Sequence, residues 1–185
     1  MDAPVTERRR HTEDRILAAA QALFAENGYE KTTVRAVAAA AEIDPALVIR
    51  YFGSKQELFH RAARLPNAQP EAEPENPDTL AIQLTNSLGA KLGGLPPSTL
   101  ALLRSMFTHP EAADRVRKAI NEEIDRLGRA APGADAELQA GLAATMMLGV
   151  TIGRQMLALP SLTEASVTDI QRAMQPALRA VMAQD

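Results

Sequence analysis

The chain has 185 residues, 46% of them hydrophobic, with 12 prolines, no cysteine, no tryptophan and a formal charge of −3. That length can bury a core without covalent staples, and the absence of cysteine excludes a disulfide scaffold. No uninterrupted apolar run reaches the ~18 residues of a membrane span, and the polar opening lacks the apolar heart of a signal peptide. A soluble, cytoplasmic chain with no membrane partner is expected.

The charge divides unevenly. Residues 1–65 carry ten Lys/Arg against nine Asp/Glu, and residues 66–185 carry ten against fourteen. Local distribution, not the total, decides attraction for phosphate. Arg8, Arg9 and Arg10 form a basic arm that suits either a solvated tail or a groove-tracking segment.

In chain order, Ile16, Leu17, Ala20, Leu23 and Phe24 make one apolar stripe, which predicts a first helix from about Thr12 to Asn27 ended by Gly28. Thr33 caps a short helix through Val34, Val37, Ala38 and Ala41. Glu42 and Ile43 form a turn, and Asp44-Pro45 starts a second short helix to about Tyr51, because a carboxylate accepts free amide protons and proline belongs in a first turn. Gly53 breaks that helix. Ser54-Lys55-Gln56-Glu57 is a capping box, with Ser54 taking the Glu57 amide and Glu57 reaching back to Ser54. Three helix starts in under thirty residues fit a helix-turn-helix that reads DNA.

Residues 66–77, PNAQPEAEPENP, cannot sustain a helix and predict an extended hinge between a head (1–65) and a body (66–185). Beyond it, helices are expected at about Asp78–Leu92, Pro97–Thr108, Pro110–Arg129, Ala134–Leu159 and Glu164–Ala183, with Pro176 kinking or interrupting the last near Gln171 and Arg172. The fold class is all-α.

Leu23 to Val34, reading LFAENGYEKTTV, together with the Tyr51-Phe52 pair before Gly53-Ser54-Lys55-Gln56, resembles the tetracycline-repressor (TetR) family of bacterial transcriptional regulators over roughly Thr12 to Arg64. Two positions depart from the family pattern: Glu42 stands where many relatives have glycine, and Pro45-Ala46-Leu47 replaces a Lys-Gly-Thr type start. Operator sequence therefore does not carry over. MLGVTIGRQMLALPSL (residues 147–162) and MQPALRAVM (residues 174–182) resemble one of the family's C-terminal types, whose last two helices pair with a second copy. The resemblance implies a homodimeric repressor that binds a palindromic double-stranded operator and answers a small effector.

A recognition helix enters the major groove with its N-terminal half. Pro45, Ala46, Leu47, Ile49 and Arg50 are its candidate readers, while Val48 and Phe52 suit burial against Phe24 and Val37. Arg50 suits guanine readout or a phosphate contact, readout being favoured. Thr33 and Lys55, at helix N-termini, and the Tyr51 hydroxyl match family positions that contact phosphate. The candidate dimer interface is Gly149, Ile152, Gly153, Met156 and Leu178, since two glycines one turn apart let a partner backbone approach closely. Close packing within one subunit is the less favoured alternative.

Candidate effector walls are Leu102, Leu103, Met106, Phe107, Met146, Met147, Val150 and Met156, with His109, Arg154 and Gln155 as polar contacts. Methionines at helical spacing also serve as plain core filler. With no aromatic residue beyond Phe107, a modest, apolar effector is expected. An enzyme is not: Glu57-Leu58-Phe59-His60 supplies half of a carboxylate-bridged metal site, no second half follows, and neither a phosphate loop nor a Ser/His/Asp set is present. No metal and no cofactor is implied. The rival reading is a DNA-binding adaptor of the same fold controlled by a protein partner.

Overall fold

Apolar positions recurring every three to four residues fold as helices throughout the computed structural model, which describes residues 3–65, 77–130 and 134–183. Among the described residues there are ten helices and no strand. In order they are α1 (Ala3–Lys31), α2 (Val34–Ala40), α3 (Pro45–Phe52), α4 (Lys55–Ala62), α5 (Pro77–Leu92), α6 (Pro97–Ser105), α7 (Pro110–Ala130), α8 (Ala136–Gln155), α9 (Pro160–Thr163) and α10 (Val167–Met182). Contacts gather them into two units: Met1–Asn67 with Pro96–Val116, and Ala68–Leu95 with Arg117–Asp185.

The first unit is built on α1. Its Ile16, Ala20 and Phe24 are fully buried, as are Val37 and Ala38 of α2 and Leu58 and Phe59 of α4. Each such large side chain contributes about 1.5–3 kcal/mol of burial. The helix begins nine residues before Thr12, since nothing between Pro4 and Glu13 breaks it and proline suits a first turn. Arg8, Arg9 and Arg10 are therefore helical. Gly28 departs from helical geometry at φ +74, a conformation that side chains with a Cβ resist, and a last turn to Lys31 follows.

The helix predicted at Pro97–Thr108 ends at Ser105 and packs along α1, within the first unit. Its ties are specific: the Tyr29 amide donates to Ser105 Oγ at 3.0 Å, the Arg64 amide to the Ser98 carbonyl at 3.2 Å, and the Thr99 hydroxyl to the Arg64 carbonyl at 3.2 Å. An amphipathic period announces a buried face but not the element that covers it.

In the second unit Leu80, Leu84, Leu88 and Leu92 form an i, i+4 stripe on α5. They pack with Leu127 of α7, Ala140, Ala143 and Met147 of α8, and Ile170, Leu178 and Met182 of α10. The helix predicted at Ala134–Leu159 stops at Gln155 because Ala158 adopts a left-handed φ of 49 and Leu159 is extended before Pro160. The last helix starts at Val167, capped by Ser166. It runs through Pro176 without interruption. The hinge read at Pro66–Pro77 lies outside the described residues, apart from Pro77 as the first residue of α5.

Candidate nucleic-acid interface

Local sequence sets the three short helices. The Thr33 side chain accepts the Ala36 amide at 3.1 Å and so caps α2. Asp44 Oδ1 accepts the Ala46 amide at 2.7 Å, with Pro45 in the first turn of α3. Between them Glu42 holds a φ of 53, where glycine would be unstrained. Gly53, at φ 78, ends α3. Ser54 Oγ then takes the Glu57 amide at 3.0 Å. Only that half of the capping box forms as drawn from the sequence, because the Ser54 amide turns to the Phe52 carbonyl at 2.9 Å.

Burial of Val48 and Phe52 fixes which side of α3 faces outward. Pro45, Ala46, Ile49 and Arg50 are exposed there, Ile49 at 43%. Leu47 is half-buried. The outward surface is thus apolar at its N-terminal end and cationic one turn later. Apolar side chains there suit thymine methyl groups better than hydrogen-bonding base edges.

Tyr51 is half-buried, its ring flanked by two guanidinium groups, Arg50 at 5.6 Å and Arg9 at 5.7 Å. Around it lies a groove of about 490 Å³ lined by Arg8, Arg9, Thr12, Arg50 and Tyr51. Arg9 is partly neutralised by Glu13 at 3.0 Å, and Arg61 reaches the same carboxylate at 3.5 Å. The hydrogen bond from Arg9, with Arg61 adding to it, holds Glu13 below the ordinary carboxylate value despite an opposing desolvation. Arg8 and Arg9 do not belong to the helix-turn-helix signature. The only clue to them in the sequence is the arginine run.

Lys55 is less free than a bare helix-start lysine. Its ammonium sits 4.2 Å from the Tyr29 ring centroid and donates to the Glu30 carbonyl at 3.4 Å. Tyr29 in turn packs among Phe24, Phe59 and His109, with centroids at 6.1, 5.0 and 3.9 Å. Burial first, then the nearby Glu30 and Glu111 carboxylates, raises the Tyr29 hydroxyl above the ordinary tyrosine value. His109, considered a polar effector contact from sequence, is here part of this aromatic cluster.

The remaining sequence candidates are divided between the two units. Leu103, Met106 and Phe107 belong to the first unit; Met146, Met147, Val150 and Arg154 belong to the second. Phe107 is 79% exposed, while Leu103 and Met147 are core residues. The Arg154 guanidinium donates to the Leu162 carbonyl and, at 2.9 Å, to the Ala165 carbonyl, closing the turn after α8. Gln155 donates to the Leu92 carbonyl at 3.0 Å. Met106, Met146 and Val150 are half-buried.

The interface candidates also separate. A side chain on Gly149 would meet nothing within 4 Å, whereas a Cβ on Gly153 would stand 2.8 Å from Leu162 Cδ1 and 3.3 Å from Leu159 Cδ1. Gly153 is thus small for the sake of its own subunit, and Leu178, with no exposed surface, is core. Leu138 (64% exposed), Leu142, Thr145 and Gly149 instead run along an open side of α8, with half-buried Ile152 and Met156 continuing the 4-3-4-3-4 spacing. No helix among the described residues is long and apolar enough to cross a membrane.

A capped helix, a tight turn and a second helix with its outer face bare, set on an all-helical frame, define the class of helix-turn-helix regulators. Residues 16–62 match the model of bacterial regulatory proteins of the tetR family, and residues 78–182 match the tetracyclin repressor-like C-terminal domain. The chain belongs to the TetR family of transcriptional regulators. Among curated proteins it is similar to the HTH-type transcriptional regulator HbdR of Aromatoleum sp. (strain CIB), 39% identical over 58 residues, which are 31% of this chain and 24% of that protein. It is also similar to TcmR of Streptomyces glaucescens, 43% identical over 49 residues, 26% of this chain and 22% of that one. The aligned part thus spans about a quarter of these relatives' length. Among solved structures, NalD of Pseudomonas aeruginosa, described as the secondary repressor of a multidrug efflux pump, has the same fold at a TM-score of 0.73. The match covers 96% of this chain and 98% of that one at 21% identity.

Proposed function

We propose that the protein is an effector-responsive repressor that binds a palindromic double-stranded operator as a homodimer, through a head at residues 1–65 and a sensing and dimerising body at residues 66–185. The observation that carries this reading is α3 itself, whose Val48 and Phe52 are buried while Pro45, Ala46, Ile49 and Arg50 stand outward. Thr33, Tyr51 and Lys55 flank that face as phosphate contacts. Two copies of α3 must lie ~34–36 Å apart to enter successive major grooves, so a dimer is required for a palindrome. The open side of α8, with Gly149, Ile152 and Met156, supports the pairing surface.

The effector is a modest apolar molecule seated in the body near Met146 and Val150, adaptable methionine surface being suited to such ligands. It acts by changing the spacing of the two heads. By linkage, an effector that weakens operator binding a hundredfold, about 2.7 kcal/mol, is itself bound a hundredfold more weakly on the operator. Footprinting on the DNA upstream of the protein's own gene tests the core claim. A protected, two-fold symmetric site spanning about two turns is expected, and no protection at micromolar protein would refute it. Effector affinity that is equal with and without operator would shift control to a protein partner.

A further inference from the structure

We propose that Arg8 of α1 and Arg50 of α3 together grip one phosphodiester of the DNA backbone in the groove beside Tyr51, so that Arg50 positions the protein instead of reading a base. This deepens the function proposed above and rests on it. Three arginines, Arg8, Arg9 and Arg50, line a space of about 490 Å³, the guanidinium groups of Arg9 and Arg50 lying 5.7 and 5.6 Å from the Tyr51 ring centroid. Among the described residues Glu13 is the carboxylate that answers any of the three, and it is engaged by Arg9 at 3.0 Å and by Arg61 at 3.5 Å. Arg8 and Arg50 have no acidic partner among the described residues. Like charges held in one groove without a counter-charge repel, and a phosphate monoanion with bidentate acceptor geometry relieves that repulsion.

The walls fit the same occupant. Thr12 donates its hydroxyl to the Arg8 carbonyl at 2.9 Å, fixing the helical turn that presents Arg8. The Tyr51 hydroxyl has no hydrogen-bond partner among the described residues and is free to donate to a phosphate oxygen. Arg9, held by Glu13 and lying over the Tyr51 ring, keeps that ring in place. The groove thus joins the start of α1 to the exposed end of the reading helix. An arm that could have been a solvated tail becomes part of the interface.

The test uses the full chain, its footprinted operator and a scrambled duplex of equal length, with anisotropy titrations over a range of salt. Arg8→Ala and Arg50→Ala should each weaken both duplexes by the same factor, roughly tenfold. Each should also flatten the slope of log K against log salt by ~0.9 per half-site. The double variant should lower the slope little further, because both arginines serve one phosphate. Ethylation interference should lose one phosphate contact per half-site in Arg8→Ala. A loss confined to the operator on Arg50→Ala would return Arg50 to base readout and overturn the assignment. An unchanged salt slope for Arg8→Ala would remove the arm. Inorganic phosphate at constant ionic strength provides the remaining arm: tight binding to the free protein, with DNA affinity indifferent to Arg8→Ala, would make the groove a free-anion site. If the wild-type chain binds neither duplex, the proposed function fails together with the groove, whereas wild-type binding that both variants leave unchanged sinks the groove alone.

Discussion

Gly149→Leu separates the subunit from the assembly. Within one chain the new side chain meets open space, since no atom lies within 4 Å of a Cβ built there. Replacing glycine inside a helix should then favour the folded subunit by ~0.8 kcal/mol. In a two-fold dimer the same change occurs twice, on facing helices, and overpacking costs ~1–3 kcal/mol per site. The dimer should weaken by about 2–6 kcal/mol, roughly 30- to 25,000-fold in dissociation constant. Sedimentation velocity across a concentration series reads this, with circular dichroism confirming retained helix. Gly153→Ala is the control. Its Cβ falls 2.8 Å from Leu162 Cδ1 within the chain, so it should lower melting temperature while leaving association per folded subunit intact. A Gly149→Leu protein that remains a dimer with unchanged affinity would refute the placement of the interface on this side of α8.

Asp44→Ala removes the cap on the Ala46 amide and should cost ~1 kcal/mol, lowering the melting temperature by about 2–4 °C with a larger loss of operator affinity. Glu42→Gly relieves a left-handed residue at φ 53 and should raise stability by up to ~1 kcal/mol, read by thermal melting; a lower melting temperature would mean that the exposed Arg15 pairing at 3.6 Å outweighs the strain. Tyr29 has a folded pKa raised above 10.0, so its contribution is intact below that pH and is lost as pH rises through the folded value. Absorbance titration of a Tyr51→Phe variant should show Tyr29 ionising later than a free tyrosine, and ionisation at the ordinary value would contradict its packing.

Much of the reading apparatus was legible because caps are local. Thr33, Asp44 and Ser54 each meet an amide two or three residues on, so spacing along the chain sufficed to place them. The Glu57 half of the box failed on an equally local competitor, the Phe52 carbonyl. Partnerships across the chain were not legible. Nothing in the period of α6 says that its buried face meets α1, and nothing in the arginine run says that it stops beside Tyr51. Gly149 and Gly153 read alike in sequence, yet only the latter lies under Leu159 and Leu162, residues brought back by a turn that Arg154 closes. The same turn engages Arg154, and spacing could not foretell it, since a lone arginine in an apolar helix signals a buried anion or a carbonyl cluster without distinguishing them.

The aromatic residues have an uneven address. Two tyrosines and four phenylalanines make up the whole set, tryptophan is absent, and every one of them falls in the first unit. Intrinsic fluorescence and near-ultraviolet dichroism therefore see that unit alone, while far-ultraviolet dichroism averages both. The chain carries a built-in optical partition. Denaturation curves from the two signals will coincide only if the units melt together, and any gap between their midpoints measures how independently the DNA-reading part can unfold.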